Sequence, residues 1–365
     1  MSARDRRGHS RAGVASFTRA GDAQAARACD ALAGLGWECS CVAFHGPGHP
    51  SLRDWARASF PRCEALVFVG SLGIAVRAVA PLLRSKATDP AVLVMDETGR
   101  WVIPVLSSHI GGAGALARAL AERLGATPVL TTASDARGVW SPDGWASSRG
   151  YRVANPDAVK AVSARLLEGG AVRVACDFPL RGPAPDGLLA VPPGAGSDVV
   201  IGWRAPRDSG AAAPRDGAGA RAGAGPLRIV VPAVHVGVGC RRGAARADLE
   251  AAVDEALAGA GADPLAVREV DTIDLKAGEP GILEMCAARG WRLVTYGADD
   301  LRVVTGSVSP SPFVASVTGV DNVCERAALA GGGSGLLAPK RVARGVTVAL
   351  ALEDVEVDLS LGEMR

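Results

Sequence analysis

The sequence is poor in aromatic residues and lacks any long apolar run. Phe, Tyr and Trp make up 4% of the 365 residues, so aliphatic side chains must fill the core, which favours α/β layers over an aromatic-rich β-sandwich. No stretch approaches the roughly 18 apolar residues of a membrane helix, and the basic start is not followed by the apolar region of a signal peptide. We therefore expect a soluble cytoplasmic protein with no membrane contact.

Cysteine and histidine patterns give no metal motif. The eight cysteines form no C-x-x-C pair, and the five histidines complete no zinc set of ordinary spacing. Scattered thiols in a chain of this length are typical of small core residues in a reducing compartment. The 40 Lys and Arg nearly balance the 38 Asp and Glu, which argues against a dedicated nucleic-acid-binding protein. We predict no metal site and no nucleic-acid partner.

The length predicts two or three domains, at about 150 residues each. Residues 204–226 are dense in Gly, Ala, Pro and charge without apolar periodicity, which is typical of a flexible linker. We predict an N-terminal α/β domain over 1–138, a variable middle region over 139–203, and a C-terminal α/β domain over 227–365.

The N-terminal region alternates strand and helix patterns. Residues 65–69 and 91–95 are short apolar runs of the buried-strand type, and 101–106 forms a hairpin with the second run. Leu116, Leu120 and Leu124 then mark a helix that Gly125 ends. This alternation predicts a mostly parallel sheet covered by helices.

The same alternation returns after the linker. We predict a helix around Leu249 and Leu257 and another that begins at Pro280. The predicted strands cover 227–236, 267–275, 291–296 and 345–352, with a glycine-rich turn over 237–243. Two α/β domains with mostly parallel sheets are therefore the predicted fold.

His109 follows a predicted strand and precedes a glycine-rich helix start. The amides of Gly111 and Gly112, at the positive end of that helix, are suited to a carboxylate or an oxyanion. His109 beside them is suited to acid–base work near neutral pH. The alternative is a histidine that only completes a turn, with Ser107 or Ser108 as the helix N-cap.

Two further N-terminal segments have a functional and a structural interpretation. Gly70 and Gly73 followed by Arg77 form either an anion cradle or a tight strand-to-helix turn with a solvated arginine. Asp96 and Glu97 are either paired acid–base carboxylates or hairpin-turn residues that bond locally.

Gly237, Gly239 and Gly243 stand between a predicted strand and a helix, but their spacing does not fit a dinucleotide-binding G-x-G-x-x-G motif. Arg241 and Arg242 instead suggest an anion site, or a solvated surface.

Other polar residues of the C-terminal region have similar alternatives. Lys276 and Glu279 lie in a strand-to-helix loop, where they contact a ligand or solvate the turn. Glu325 stands three residues after Asn322, as in a capping box. Lys340 has the position of an edge-strand charge that prevents aggregation.

Several of these segments, in order, resemble the cobalt-precorrin-5A hydrolase family of anaerobic cobalamin biosynthesis. The resemblance covers residues 65–138 and 235–352, and its C-terminal block also resembles a free-standing protein of the aerobic pathway. The family more often has Gly at Ser108 and Asn at Gly114. The segments are GSLGIAVRAVAP, KATDPAVLVMDETGRWVIPVLSSHIGGAGALARALAERLGATPVLTTASDARG, VGVGCRRGAARADLEAAVDEAL, TIDLKAGEPGILEMC, SPFVASVTG and NVCERAAL.

The resemblance implies a hydrolase acting on a carbon–carbon bond. It opens the ring-A δ-lactone of cobalt-precorrin-5A, and the bridging carbon leaves as acetaldehyde to give cobalt-precorrin-5B. We expect His109, with Asp96 or Glu97, to activate water, and the amides of Gly111 and Gly112 to hold the oxyanion.

The substrate carries many carboxylates, so we expect cationic contacts and a cleft between the two domains. No separate cofactor is expected because the substrate brings the cobalt, and neighbouring enzymes of the pathway are expected as transient partners. The cationic candidates are Arg77, Lys86, Arg241, Lys276 and Lys340. The other predicted substrate-binding residues are Gly70, Gly73, Ser107, Ser108, Gly111, Gly112, Asp135, Gly237, Gly239 and Glu279.

Two other functions compete with this one. The first is a non-catalytic carrier of tetrapyrroles in the same pathway. The second is an esterase that uses Ser107 or Ser108 with His109, although the G-x-S-x-G elbow and a third triad member are missing.

Overall fold

The protein is described by a computed structural model, in which three β-sheets with covering helices follow one another along the chain. The predicted α/β class with mostly parallel sheets is confirmed. Most of the predicted linker, residues 207–224, lies outside the described residues. In the part of the chain that is described, no helix is both long enough and apolar enough to cross a membrane. The described residues are 10–46, 48–85, 88–108, 111–206, 225–306 and 308–360.

The first sheet contains the predicted apolar runs as fully buried central strands. Its strands are β1 (Ser10–Ser16), β2 (Trp37–Ala43), β3 (Ala65–Val69), β4 (Ala91–Met95), β5 (Trp101–Leu106) and β6 (Thr127–Pro128). They lie in the order β2-β1-β3-β4-β5-β6. All neighbours are parallel except β4 and β5, which form the predicted hairpin.

Helices cover both faces of this sheet. They are α1 (Arg19–Gly34), α2 (Leu52–Ser59), α3 (Leu72–Val79) and α4 (Ala113–Leu124). Alanine-rich faces of α1 and α4 pack on one side, while α2 and α3 pack on the other. The predicted helix through Leu116 and Leu120 is confirmed as α4, and it ends at Gly125, whose φ of 68° is left-handed.

The second sheet forms from the middle of the sequence. Its strands are β7 (Arg152–Val153), β8 (Val172–Cys176), β10 (Leu188–Val191), β11 (Val199–Gly202) and β12 (Leu227–Val230), in the order β10-β8-β11-β12-β7. The helices are α5 (Ala133–Arg137), α6 (Pro142–Ser148) and α7 (Val159–Leu167). The prediction of one strand over 227–236 is wrong: the chain passes through Pro232, which cannot donate to a ladder, and enters a different sheet.

The third sheet has three parallel strands and an antiparallel pair. Its strands are β13 (Val234–Cys240), β14 (Val267–Ile273), β15 (Arg292–Tyr296), β16 (Gly333–Ala343) and β17 (Val346–Glu353), in the order β15-β14-β13-β17-β16. The helices are α8 (Arg246–Ala260), α9 (Pro280–Arg289), α10 (Ala298–Arg302), α11 (Pro312–Thr318) and α12 (Cys324–Ala330). One continuous apolar core joins the second and third sheets.

Shorter elements complete the fold. β9 (Leu180–Arg181) pairs with β18 (Val357–Asp358) as a two-stranded ribbon. Single 3₁₀ turns lie at Ala80–Leu82, Pro156–Ala158, Pro264–Ala266 and Asp274–Lys276.

Candidate active site

The carboxyl ends of the parallel strands β1 to β4 lie side by side along one end of the first sheet. We call this row of strand ends the carboxyl edge. Open α/β sheets bind ligands at this kind of edge, where the strand order reverses, as it does here between β1 and β3. The amide of Gly70 donates to the carbonyl of Met95 at 2.8 Å, so the β3–α3 turn lies beside the β4–β5 turn. Two predicted segments, 70–77 and 96–97, therefore share the carboxyl edge.

The start of α3 has the donors expected of an anion cradle. Its N-cap, Ser71, makes no side-chain capping bond, and the amides of Leu72 and Gly73 have no hydrogen-bond partner among the described residues. Arg77 is exposed, and its Nη1 donates to the Gly73 carbonyl at 3.1 Å. A side chain at Gly70 would meet the ring of Phe17 at 2.9 Å. The turn therefore brings backbone donors and a cation together.

Asp96 is occupied by the hairpin turn. Its Oδ1 accepts from the Trp101 amide at 2.7 Å, and its Oδ2 accepts from the Thr98 amide and hydroxyl. Burial disfavours the charged form, but these hydrogen bonds outweigh it and keep the pKa of Asp96 below its ordinary value. Glu97 makes no side-chain hydrogen bond within the described ranges. Of this predicted pair, Glu97 is the carboxylate left available.

The sequence analysis missed a histidine–aspartate pair at the same edge. Asp22 lies in the first turn of α1, and His45 lies just after β2. His45 Nε2 is 2.6 Å from Asp22 Oδ2, and Ser16 Oγ donates to Asp22 Oδ1 at 2.5 Å. The Ser16 hydrogen bond, supported by His45 and opposed by burial, lowers the pKa of Asp22. The pair could have been suspected because each residue closely follows a strand of a parallel sheet.

The segment after β5 lies at the opposite edge of the sheet. Leu106 pairs with Val92, and Met95 pairs with Val102, because β5 runs antiparallel to β4. At ~3.3 Å per residue, Asp96 is therefore roughly 17 Å along the strand from Ser107, which is level with Ala91. Asp96 and Glu97, the predicted partners of His109, lie at the hairpin turn, at the opposite end of β5 from Ser107. His109 itself, like Lys86, lies outside the described residues, and its role stays a prediction.

Backbone groups cap the start of α4. The carbonyls of Ser107 and Ser108 accept from two amides in the first turn at 3.1 and 3.0 Å. The N-cap is Gly112, so neither serine is the N-cap that the alternative interpretation of this turn required. The Ser107 hydroxyl donates instead to the Asp89 carbonyl at 3.1 Å. A methyl group at Gly111 would lie 2.3 Å from Ser107 Cβ, and Gly112 has a left-handed φ of 76°. The roles predicted for these two glycines and two serines in substrate binding stay predictions.

Asp135 stabilises local structure. It accepts from Arg118 and from the Thr132 hydroxyl, both at 2.5 Å, and its amide donates back to that hydroxyl at 3.2 Å. These bonds join the start of α5 to α4. Its predicted contact with substrate stays a prediction.

Gly237 and Gly239 belong to a strand and not to a turn. The predicted turn over 237–243 is wrong in its first half, because β13 continues to Cys240. A methyl group at Gly237 would lie 1.8 Å from the Cys324 carbonyl oxygen, and one at Gly239 would lie 2.6 Å from Thr347 Oγ1. Close packing of α12 and β17 on β13 explains both glycines.

Lys276 and Glu279 meet at the carboxyl end of β13. Glu279 is buried and accepts from Lys276 Nζ at 2.8 Å and from the Gly243 amide at 2.6 Å. The hydrogen bond from Lys276 is the main reason that the pKa of Glu279 is lowered. Arg241 is exposed on the same turn. The structure thus brings Lys276 and Glu279 together, while the Arg241 side chain lies beside Gly345.

Lys340 lies on the edge strand β16, as predicted. Its amide donates to Glu325 at 2.7 Å, and its Nζ donates to the Ser309 carbonyl at 3.1 Å. Asn322 Oδ1 accepts from the Glu325 amide at 2.9 Å, and Asn322 Nδ2 donates to Glu325 Oε2 at 2.5 Å. The predicted capping box is wrong, because the N-cap of α12 is Val323 and the second bond joins two side chains. This network holds the segment before α11 against β16.

A second cluster that the sequence analysis missed lies inside the third sheet. His235 on β13 faces Glu269 and Asp271 on β14, and all three are buried. Burial raises the pKa of Asp271 to about 6. Burial opposes protonation of His235, but the neighbouring carboxylates outweigh it and raise the pKa of His235.

Comparison with known proteins places this chain in a family. Residues 54–135 match the family model described as Cobalamin synthesis G N-terminal, and 234–351 match Cobalamin synthesis G C-terminus. A cobalt-precorrin-5A hydrolase from Salmonella typhimurium is 33% identical over 307 residues, which cover 81% of this chain and 84% of that protein. This chain belongs to the cobalt-precorrin-5A hydrolase family.

A second hydrolase agrees with this assignment, and a third relative matches only part of the chain. A cobalt-precorrin-5A hydrolase from Priestia megaterium is 31% identical over 317 residues, covering 83% of this chain and 82% of that protein. Protein CobE from a Sinorhizobium species is 34% identical over 119 residues, covering 32% of this chain and 77% of that protein. The predicted resemblance to the hydrolase family is confirmed. Asp22 and His45 precede the first residue matched by the N-terminal family model.

Proposed function

We propose that this protein is a cobalt-precorrin-5A hydrolase, which opens the ring-A δ-lactone and releases the bridging carbon as acetaldehyde to give cobalt-precorrin-5B. The observation that carries the proposal is the 33% identity to a hydrolase of that name over 81% of this chain and 84% of the relative. CobE covers only 32% of this chain, so a C-terminal match alone would not specify hydrolysis.

We place the reaction at the carboxyl edge of the first sheet, with His45 as the general base. In the neutral ring, donation from Nε2 to the Asp22 carboxylate leaves the lone pair on Nδ1. That nitrogen takes a proton from the water that attacks the lactone carbonyl. Asp22, whose lowered pKa keeps it ionised near neutral pH, then stabilises the imidazolium and fixes its orientation.

Attack on the lactone places negative charge on the carbonyl oxygen. The amides of Leu72 and Gly73 at the start of α3, with Arg77 one turn later, are suited to receive that oxyanion. The alternative cradle at Gly111 and Gly112 lies at the other edge of the sheet. The two assignments are therefore separable by mutation.

The substrate combines an apolar macrocycle with carboxylates, and α3 offers matching groups. Leu72 and Val76 are large apolar residues that are a little under half exposed, as is Leu83 shortly after the helix. Arg77 adds a cation to this surface, and Arg241, Lys276 and Lys340 add others on the third sheet. We propose a cleft between these units as the binding site. The substrate supplies the cobalt, and no separate cofactor is proposed for this reaction.

The free thiols of the chain fit a reducing compartment, and we place the reaction in the cytoplasm. Enzymes that act before and after it are proposed as transient partners.

The proposal is tested by incubating the purified protein with cobalt-precorrin-5A without oxygen and following acetaldehyde with alcohol dehydrogenase and NADH. We expect NADH consumption in proportion to protein concentration. Retention of the macrocycle without any acetaldehyde would contradict the proposal and favour the carrier function.

A further inference from the structure

His235, Glu269 and Asp271 form a buried polar cluster on two neighbouring strands of the third sheet. His235 and Asp271 are 0% exposed, and Glu269 is 8% exposed. His235 Nδ1 lies 3.4 Å from Asp271 Oδ2 and 3.6 Å from Glu269 Oε1. Neither nitrogen of His235, nor Asp271 Oδ2, has a hydrogen-bond partner in the described part of the chain. The cluster therefore contains buried polar atoms that face one another without bonding.

Such an arrangement is costly unless something occupies it. Each buried polar atom without a partner costs about 1–3 kcal/mol, and more when it is charged. A protonated imidazole would lower this cost by closing on the carboxylate to about 2.7–2.9 Å, the usual length of a charge-assisted hydrogen bond. The observed 3.4 Å is longer than that. This separation leaves the hydrogen bond between imidazole and carboxylate unformed, and it is suitable for a larger cation.

The separations fit a tetrahedral metal ion. Zinc binds histidine nitrogen and carboxylate oxygen at ~2.0–2.2 Å, which places neighbouring tetrahedral donors about 3.3–3.6 Å apart. The donor atoms of His235, Glu269 and Asp271 all lie within 4.8 Å of one another. One nitrogen and two carboxylate oxygens make a three-ligand set that is chemically suited to a divalent transition metal.

The residues around the cluster support its donors. Tyr296 donates its hydroxyl to Asp271 Oδ1 at 3.2 Å, which leaves Oδ2 for an ion. Glu353 Oε2 is 3.7 Å from the second histidine nitrogen, Nε2. Arg292 faces Glu269 at 3.6 Å, and Arg268 faces Glu353 at 3.3 Å. Outer partners of this kind orient ligands in known metal sites.

Gly331 gives independent support, because only glycine at this position leaves room beside His235 Nδ1 and the Asp271 carboxylate. Its φ of −63° and ψ of −12° suit any residue, so the backbone does not require glycine. A methyl group there would lie 2.3 Å from His235 Nδ1 and 3.0 Å from both oxygens of Asp271. Glycine therefore keeps side-chain atoms away from the two donors.

We propose that His235, Glu269 and Asp271 bind one divalent cation of the Zn²⁺ class at a buried site, with the fourth coordination position left to water. The ion joins β13 to β14 at the point where α12 ends against them. The inference does not depend on the hydrolase reaction, because the cluster is buried inside the third sheet and the proposed catalytic residues lie on the first.

The test is Zn²⁺ titration of the chelator-stripped full chain against a chromophoric competitor. We expect one tight site in the wild-type protein. Asp271→Asn and Gly331→Ala should each lower the affinity for Zn²⁺ by more than the ~10–100-fold that mutation of an outer partner typically causes. Asp274→Asn, which removes an exposed carboxylate three residues from Asp271, is expected to keep the site. If zinc were held instead by the neighbouring thiols of Cys29 and Cys39, its amount and affinity would be the same in the wild type and the three variants.

Equal zinc content and affinity in the four proteins, or no tight site in the wild type, would overturn the proposal. Circular dichroism checks that each variant folds. If Asp271→Asn and Gly331→Ala do not fold, anomalous scattering at the zinc edge from wild-type crystals grown with Zn²⁺ decides the question. A peak within coordination distance of His235 Nδ1 is expected, and a map without it would contradict the site.

Discussion

Replacing His45 with glutamine is the sharpest test of the catalytic geometry. The substitution keeps a polar side chain but removes the nitrogen that is proposed to take a proton from water. General acid–base catalysis typically contributes about 10²–10⁴-fold, so kcat should fall by roughly that factor. Asp22→Asn should cost less, because it weakens one charge-assisted hydrogen bond worth ~1.5–3 kcal/mol, or about 10- to 150-fold in rate. The low end is expected, since both side chains are about a third exposed.

The assay is single-turnover release of acetaldehyde, with substrate binding measured separately. Both substitutions should lower the rate and leave the affinity for the macrocycle within a few-fold of wild type. His49→Gln, which alters an exposed histidine four residues away, is the matched control. Its rate and its affinity for the macrocycle should both equal those of the wild type. If His45→Gln retained the wild-type rate while His109→Gln lost it, the reaction would belong to the opposite edge of the sheet.

Three further substitutions test local interpretations. Asp96→Asn should lower the free energy of unfolding by about 1–3 kcal/mol but keep activity within a few-fold, and a large loss of kcat without destabilisation would contradict its turn role. Gly237→Ala should cost at least ~3 kcal/mol in urea unfolding, because its methyl group would lie 1.8 Å from a carbonyl oxygen, whereas Gly278→Ala meets nothing within 4 Å and should be nearly neutral. Glu279→Gln should be destabilising at neutral pH because the pKa of Glu279 is lowered in the folded state. The difference in free energy of unfolding between variant and wild type should shrink as the pH falls below about 4.3. A difference that stays constant with pH would exclude the ion pair as its cause.

Local patterns in the sequence were sufficient to predict β3, β4, β5 and α4, but no prediction covered β1, α1 or β2, where Asp22 and His45 lie or follow. The apolar runs of β3 and β4, the hairpin with β5 and the leucine spacing of α4 all depend on neighbouring residues. The consequence of the hairpin was harder to foresee. Its antiparallel return places the segment after β5 at the opposite edge from Asp96, so two motifs only eleven residues apart are separated in space.

Both histidine clusters depend on pairing between distant segments. His45 and Asp22 are 23 residues apart, and only the order β2-β1-β3 brings their segments to one edge. His235 meets Glu269 through the parallel register of β13 and β14. The available signal was the position of Glu269 and Asp271 on one face of a predicted parallel strand, where acidic residues are unusual.

The central claim is most directly tested by measuring both products of one reaction without oxygen. Cobalt-precorrin-5A is mixed with the purified protein, acetaldehyde is quantified enzymatically, and the remaining and converted macrocycles are quantified by mass spectrometry. The account predicts that acetaldehyde and cobalt-precorrin-5B appear in equimolar amounts and exceed the amount of protein. Binding of an unchanged macrocycle, with no acetaldehyde at any protein concentration, would contradict it.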